Sequence, residues 1–258
     1  MKKIITALLI ICLAFGLASC GKKESEETPV KRKSAVSDYT FSESYKDSKG
    51  NTVSRLDITL PHLEGKKAPA GAQVFNAYFE NYTLERAKDA EMNADSISDY
   101  LERNGFTGPR VTEITYDIYY ESDTLISVIL KSRTGTKVSE IQPSEQAMTF
   151  SLVSGEQLGV RDFAKFPGNE NIIEEMLDGI YKAADKTYSP NGVPLSDEKH
   201  ALLKDAFDEN SLLVKDDAFV FIYSFEFLSS GSRTGTYYCE VPLAYVENFY
   251  MSPGSYEA

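Results

Sequence analysis

Apolar residues recur at every second position in some stretches of this chain and at every third or fourth in others, and the switches between the two periods mark its elements. Tyr39, Phe41 and Tyr45 share one parity, and Leu56, Ile58 and Leu60 share another, around the turn-forming Asp47-Ser48-Lys49-Gly50-Asn51. This predicts a β-hairpin with one half-buried face per strand. Pro61 is expected to end the second strand, because it has no N–H to donate to a ladder. Over residues 70–103 the period lengthens: Phe75, Phe79 and Tyr82 recur at helical spacing, with Val74 and Tyr78 beside them. A helix is expected there, broken near Asn93 and stopped by Asn104-Gly105. A second hairpin follows, with Ile114, Tyr116, Ile118 and Tyr120 on its outgoing strand and Ile126, Val128 and Leu130 on its return. The return strand is apolar on both faces, which places it inside a sheet. Residues 132–145 are polar and are expected to form a long exposed loop.

The second half opens on Met148, Phe150 and Leu152, again alternating, with a turn at Val153-Ser154-Gly155-Glu156 and an irregular piece over residues 158–166. Ile172, Ile173, Met176, Leu177, Ile180, Tyr181 and Ala184 make the best helical stripe, ended by Ser189-Pro190-Asn191-Gly192. A short helix is predicted over 196–207, with Ser196 as its N-cap. Phe219, Phe221, Tyr223, Phe225 and Phe227 then line one face of a strand that is too apolar to sit at a sheet edge. Tyr237, Cys239 and Val241 form the return strand, and Pro242 is expected to start a final short helix. Strands joined by short turns pair antiparallel. The class is therefore α+β, an antiparallel sheet with helices packed on one face, in two similar-sized halves at residues 38–140 and 145–250.

The first 37 residues have neither pattern. Met1-Lys2-Lys3 is followed by an apolar run over residues 4–17 and by Leu17-Ala18-Ser19-Cys20. The run is shorter than the about 20 residues that a membrane span needs. The order of charge, apolar run and small residues before a cysteine resembles a bacterial lipoprotein signal peptide. That resemblance implies removal of residues 1–19 and acylation of Cys20 (palmitate-type chains), with a protein held to the membrane through its N-terminal lipid and facing the periplasm or cell surface. Residues 20–37, the lipidated cysteine and a charged, Ser- and Pro-containing stretch, read as a flexible linker. No later run is long enough to span a bilayer, so a soluble body on a tether is expected.

Composition narrows the partners. The chain has 27 Lys and Arg against 39 Asp and Glu, a formal charge of −12, and losing Lys2 and Lys3 with the leader gives −12 − 2 = −14. Such a surface argues against nucleic acid, whose phosphates need clustered cations, and favours encounter with a basic protein. Of three cysteines, Cys12 leaves with the leader and Cys20 takes the lipid, so Cys239 has no disulfide partner.

The candidate chemistry is sparse. His62 and His200 are the only histidines, neither at metal-ligand spacing from another ligand, so no metal or other cofactor is expected. The loop serines Ser154 and Ser232 lack a nucleophile-elbow context, and Gly231-Ser232-Arg233-Thr234-Gly235 fits no phosphate-loop spacing. No catalytic residue is assigned. Asp205, Asp208, Glu209, Asp216 and Asp217 flank the aromatic strand and leave open a glycan or peptidoglycan hydrolase. What remains is a stock of tyrosines, Tyr119, Tyr120, Tyr237, Tyr238, Tyr245 and Tyr250. Tyrosine on a sheet face suits sugar stacking or a protein interface, and the first five are the candidate binding residues.

Two segments carry a family resemblance. Ser154-Gly155-Glu156-Gln157-Leu158-Gly159-Val160-Arg161-Asp162-Phe163 resembles a T-G-x-x-L-x-L-x-D-L-F element. The run from Phe219 to Phe227, with Gly235 and Glu240-Val241-Pro242-Leu243, resembles an F-x-F-x-Y ending that closes on V-x-I-P-Y. Together they resemble a bacterial extracytoplasmic lipoprotein family, a former domain of unknown function. It is related to the sensor domains of lysozyme-responsive anti-sigma factors and to the non-catalytic N-terminal region of peptidoglycan deacetylases. The resemblance covers about residues 38–250 and departs from the family in having no histidine over residues 132–147. It implies a lipid-anchored envelope-binding module for a cell-wall glycan or a basic envelope protein such as lysozyme. A scaffold subunit of an envelope complex is a further alternative.

Overall fold

A computed structural model describes residues 36–65, 68–137, 141–188, 195–224 and 236–256. The leader, Cys20, the linker as far as residue 35, the helix stop at 189–192, Phe225, Phe227 and the 231–235 loop lie outside the described residues.

β1 (Val36–Lys46) and β2 (Thr52–Leu63) form the first hairpin. Its turn is tied by the Asp47 carboxylate, which accepts from the Lys49 and Asn51 amides at 3.0 and 2.8 Å. β2 does not stop at Pro61, which pairs with Asp38 two residues before the strand ends. Proline is tolerated because β3 flanks β2 only from Ser54 to Ile58, so at Pro61 the strand has a partner on one side alone.

The long helix breaks at Asn93 into α1 (Ala72–Met92) and α2 (Ala94–Arg103), and Gly105, at φ +65°, follows its end. These helices do more than separate two hairpins. They form the crossover that brings β3 (Arg110–Glu121) beside β2 in parallel, so the sheet is antiparallel except at this one pair.

β4 (Leu125–Gly135) is longer than expected and takes in Ser132, Arg133 and Thr134, so the predicted exposed loop begins after Gly135. β5 (Ser144–Ser151) and the two-residue β6 (Gln157–Leu158) complete a six-stranded sheet in the order β1 to β6. One face of this sheet presents Leu56, Ile58, Ile114, Ile126, Val128, Met148 and Phe150, all buried. Phe75 and Phe79 of α1 pack into it, and both rings meet Phe150 edge-on or tilted at 5.0 and 5.4 Å. The start of α1 is pinned to the end of β5: the Gly71 amide donates to the Leu152 carbonyl at 3.0 Å. Gly155, at φ +81°, lies so close that a β-carbon on it would run into the Gly71 carbonyl oxygen.

The second sheet is β7 (Leu213–Lys215), β8 (Ala218–Ser224) and β9 (Thr236–Pro242), with the aromatic strand central as expected. β7 was not foreseen, since three residues are too few for a period to show. α3 (Ile172–Tyr188) covers one face of this sheet through Ile172, Met176, Ile180 and Ala184. The other face meets the six-stranded sheet, where Val220 and Leu213 pack on Ile129 and Ala147. Polar groups caught between the sheets are satisfied. Thr149 hydroxyl donates to the Leu212 carbonyl at 2.9 Å, and Ser127 hydroxyl accepts from the Val214 amide at 3.2 Å.

α4 (Asp197–Asp205) follows Ser196, whose side chain makes no capping bond. After Pro242 the chain forms only a short 3-10 turn, Leu243–Tyr245, rather than a helix. Thus the α+β class holds, with helices on one face of the large sheet and a second sheet behind it.

Candidate functional site

The five candidate tyrosines divide. A β-bulge between Ile118 and Tyr120 inserts Tyr119 and shifts the register, so that Tyr120 stands opposite Ser127 and faces the second sheet. Tyr119 there stacks on Tyr238, with ring centroids 6.3 Å apart and planes 4° from parallel. The Lys215 ammonium lies 5.9 Å from the Tyr119 ring centre and pairs with Glu240. Tyr238 hydroxyl donates to Glu145 at 2.7 Å. Burial, and after it the Glu145 carboxylate, push the Tyr238 phenol well above its ordinary range. These contacts run from β3 and β5 to β7 and β9, so Tyr119 and Tyr238 clasp one sheet to the other.

Tyr120 donates to Asp216 and is pushed up to about 12, by burial first and by that hydrogen bond second. Tyr237 is buried against α3, Tyr245 is half-buried at the same core, and Tyr250 is fully buried with its hydroxyl donated to the Ile172 carbonyl. The five do not converge on one surface.

Three of the five acids over 205–217 have partners in the fold. Glu209 pairs with Arg161 at 2.9 Å, Asp208 accepts from the Asn210 amide at 2.9 Å, and Asp216 holds Tyr120. Among the described residues, no three His, Cys, Asp or Glu side chains form a metal-holding group. His200 stacks on Tyr181 at 4.4 Å and meets Asp185 at 3.0 Å, joining α4 to α3. Cys239 is fully buried, and burial pushes its thiol up to about 12.

A concave site lies elsewhere, on the helix side of the six-stranded sheet. Its volume is about 580 Å³. Along this face the strands change character. Ile126, Val128 and Met148 lie under the start of α1, but two or three rungs on the same face presents Thr112, Thr134, Ser132, Ser144 and Gln146. Thr112 and Thr134 face each other across the ladder with hydroxyls 3.1 Å apart. α1 starts over the end of β5 and ends beside β1, where Leu84 and Ala87 flank Glu43 and Tyr45. This diagonal path leaves the polar ends of β3, β4 and β5 open. Tyr82, Arg86, Asp89 and Ala90 of α1 and Ser96, Ile97 and Tyr100 of α2 form the wall. The Arg86 guanidinium sits 5.0 Å over the Tyr82 ring, and Arg110 enters from the first residue of β3. Glu145 borders the groove through its backbone, its side chain being turned to the opposite face toward Tyr238.

A floor of hydroxyls with two tyrosines and two guanidiniums at the wall can stack on a ring and hydrogen-bond the groups around it. Of these residues only Tyr82 stood out in the sequence, and then as part of an inward stripe. The signal that points to the others is alternation that persists in Ser132 and Thr134 after the apolar residues end.

No protein-family model matches the sequence, and no curated protein matches it. Solved structures do. A crystal structure of a DUF3298 family protein from Pseudomonas aeruginosa PAO1 superposes with a TM-score of 0.54 at 11% identity, covering 87% of this chain and 97% of that one. A member of the same family from Bacteroides fragilis NCTC 9343 gives a TM-score of 0.49 at 13% identity, covering 86% and 96%. The Pseudomonas protein and this chain share a fold. The structural neighbours thus belong to a domain family of unknown function, as the sequence resemblance implied.

Proposed function

We propose that this chain is a lipid-anchored relative of the DUF3298 proteins that binds a cell-envelope saccharide in the groove between α1, α2 and the six-stranded sheet. Cys20 is the lipidated residue in this proposal, and the folded body stands outside the cytoplasm on the 20–37 linker. Among the described residues no helix is long and apolar enough to cross a membrane. The observation that carries the binding role is the hydroxyl ladder of Thr112, Thr134, Ser132 and Ser144 under the Tyr82 and Tyr100 wall. A sheet face that needed only to pack would continue the apolar pattern of Ile126, Val128 and Met148. Thr112 and Thr134 bond each other and Ser144 donates to the Ser132 carbonyl, yet each hydroxyl keeps acceptor lone pairs for an incoming ligand, and the exposed Tyr100 ring supplies a stacking face.

Two measurements test this. Mass spectrometry of the membrane-extracted protein is expected to find an acylated Cys20 at the N-terminus, and an intact unacylated leader would remove the anchor. Titration of the purified protein with cell-wall oligosaccharides is expected to show binding that Tyr100→Ala weakens about tenfold, in line with loss of a stacking contact. Retention on lysozyme, undiminished by groove substitutions and without any saccharide binding, would move the function to a protein partner.

A further inference from the structure

The arginines of this chain follow a pattern that breaks at the groove. Arg55 pairs with Asp57 at 2.8 Å, Arg133 with Glu113 at 3.3 Å and Arg161 with Glu209 at 2.9 Å. Arg103 donates to the Asp99 carbonyl of its own helix at 3.0 Å. Arg86 and Arg110 are the other two described arginines. Among the described residues neither has a carboxylate or carbonyl partner, and both line the groove. With 39 acidic residues in the chain, carboxylates are plentiful, yet among the described residues these two guanidiniums, one from α1 and one from β3, are without one. The stack of Arg86 on Tyr82 holds its planar fork at the groove wall without using its hydrogen-bond donors.

Charge sets the kind of ligand. Arg86 and Arg110 bring two positive charges, and Asp89, on the same wall, returns one. Glu145 does not count, because its carboxylate is turned to the other face of the sheet. A net single positive charge matches a monoanion better than a doubly charged phosphate. A carboxylate, flat and with two acceptor oxygens, fits the guanidinium fork. We infer that the groove takes an acidic saccharide, with Arg86 and Arg110 receiving its carboxylate while Thr112, Thr134, Ser132 and Ser144 bond its hydroxyls. This rests on the saccharide reading of the groove and adds the charge of the ligand to it.

Three disaccharide probes separate the two ideas: N-acetylchitobiose, which is neutral, the N-acetylglucosamine–N-acetylmuramic acid pair, which adds one carboxylate, and the carboxamide of that acid. Calorimetric titration of the full protein is expected to give about tenfold tighter binding of the acid than of its amide, the size of one charge-assisted hydrogen-bond pair. Added salt is expected to weaken the acid alone. Arg110→Gln and Arg86→Gln are each expected to bring the acid toward the affinity of the amide, and Arg110→Lys to keep part of the preference. Thermal melts confirm that the variants fold. Equal binding of acid and amide by the unaltered protein would overturn the acidic-ligand inference while leaving saccharide binding standing. Failure of all three probes would overturn both.

Discussion

The two sheets handle their helices in opposite ways. α3 lies over the three-stranded sheet and seals its face, leaving the buried Tyr223 hydroxyl without a partner among the described residues. Cys239 thiol reaches the Ile180 carbonyl and Tyr250 hydroxyl reaches that of Ile172, and Phe219, Phe221 and Val241 fill the rest. α1 lies over the six-stranded sheet at a slant, sealing Phe150 and Met148 but leaving Thr112, Ser132 and Ser144 uncovered. One face is an interior and the other is part interior and part groove. Strands of similar length and parity thus make either a sealed core or a binding face, and the difference lies in where the helix runs and which residues it leaves open.

Substitutions on the two sides should therefore separate stability from binding. The largest effect is expected from Phe219→Ala in the sealed core, a loss of about 3–5 kcal/mol in urea unfolding, with ligand affinity intact wherever the variant is folded. A loss below about 1 kcal/mol would mean that this core is looser than its burial implies. Gly155→Ala comes next. Its β-carbon collides with Gly71 and its φ is +81°, so a loss of about 2 kcal/mol or more is expected, read by the same unfolding experiment. In the groove the order reverses. Thr112→Val with Ser132→Ala is expected to alter stability by no more than about 1 kcal/mol and to weaken saccharide binding at least about tenfold. Unchanged affinity would show that the floor is only structural.

The hairpin turn beside α2 offers a pH probe. Burial raises the Asp47 carboxyl, but hydrogen bonds from Asn51, Ser98 and the Lys49 amide outweigh it and bring it to about 2, against an ordinary 3.8. Because the folded value lies below the unfolded one, its contribution is whole above about pH 4 and fades as pH falls toward 2. The gap in urea midpoint between the wild type and Asp47→Asn should close over that window, and a gap that is flat down to pH 2 would contradict the assignment. The smallest effect is expected for Tyr238→Phe, which removes the exposed bond to Glu145 and should cost at most about 1 kcal/mol.

Much of the fold was legible because period-2 and period-3.6 patterns record which side of an element is buried. The hairpin turn at 47–51, the break at Asn93, the stop at Gly105 and the central place of Phe219 and Phe221 all follow from local rules. Other features did not. Pro61 lies inside a strand because β3 parts from β2 after Ile114 and does not flank it there. Tyr120 faces the second sheet because a bulge flips its parity, and a bulge leaves no mark in composition. Ser132, Arg133 and Thr134 looked like a loop because polar residues in a strand are indistinguishable from a loop when the groove they face is unknown.

Chain pattern alone settled the α+β class, the run of hairpins and helices and the burial of the aromatic strand, since each depends on neighbours a few residues away. The parallel seat of β3 beside β2, the slant of α1 and the placing of Arg86 and Arg110 on one groove join residues far apart in the sequence. Nothing local encodes such a placing, so only the folded chain decides it.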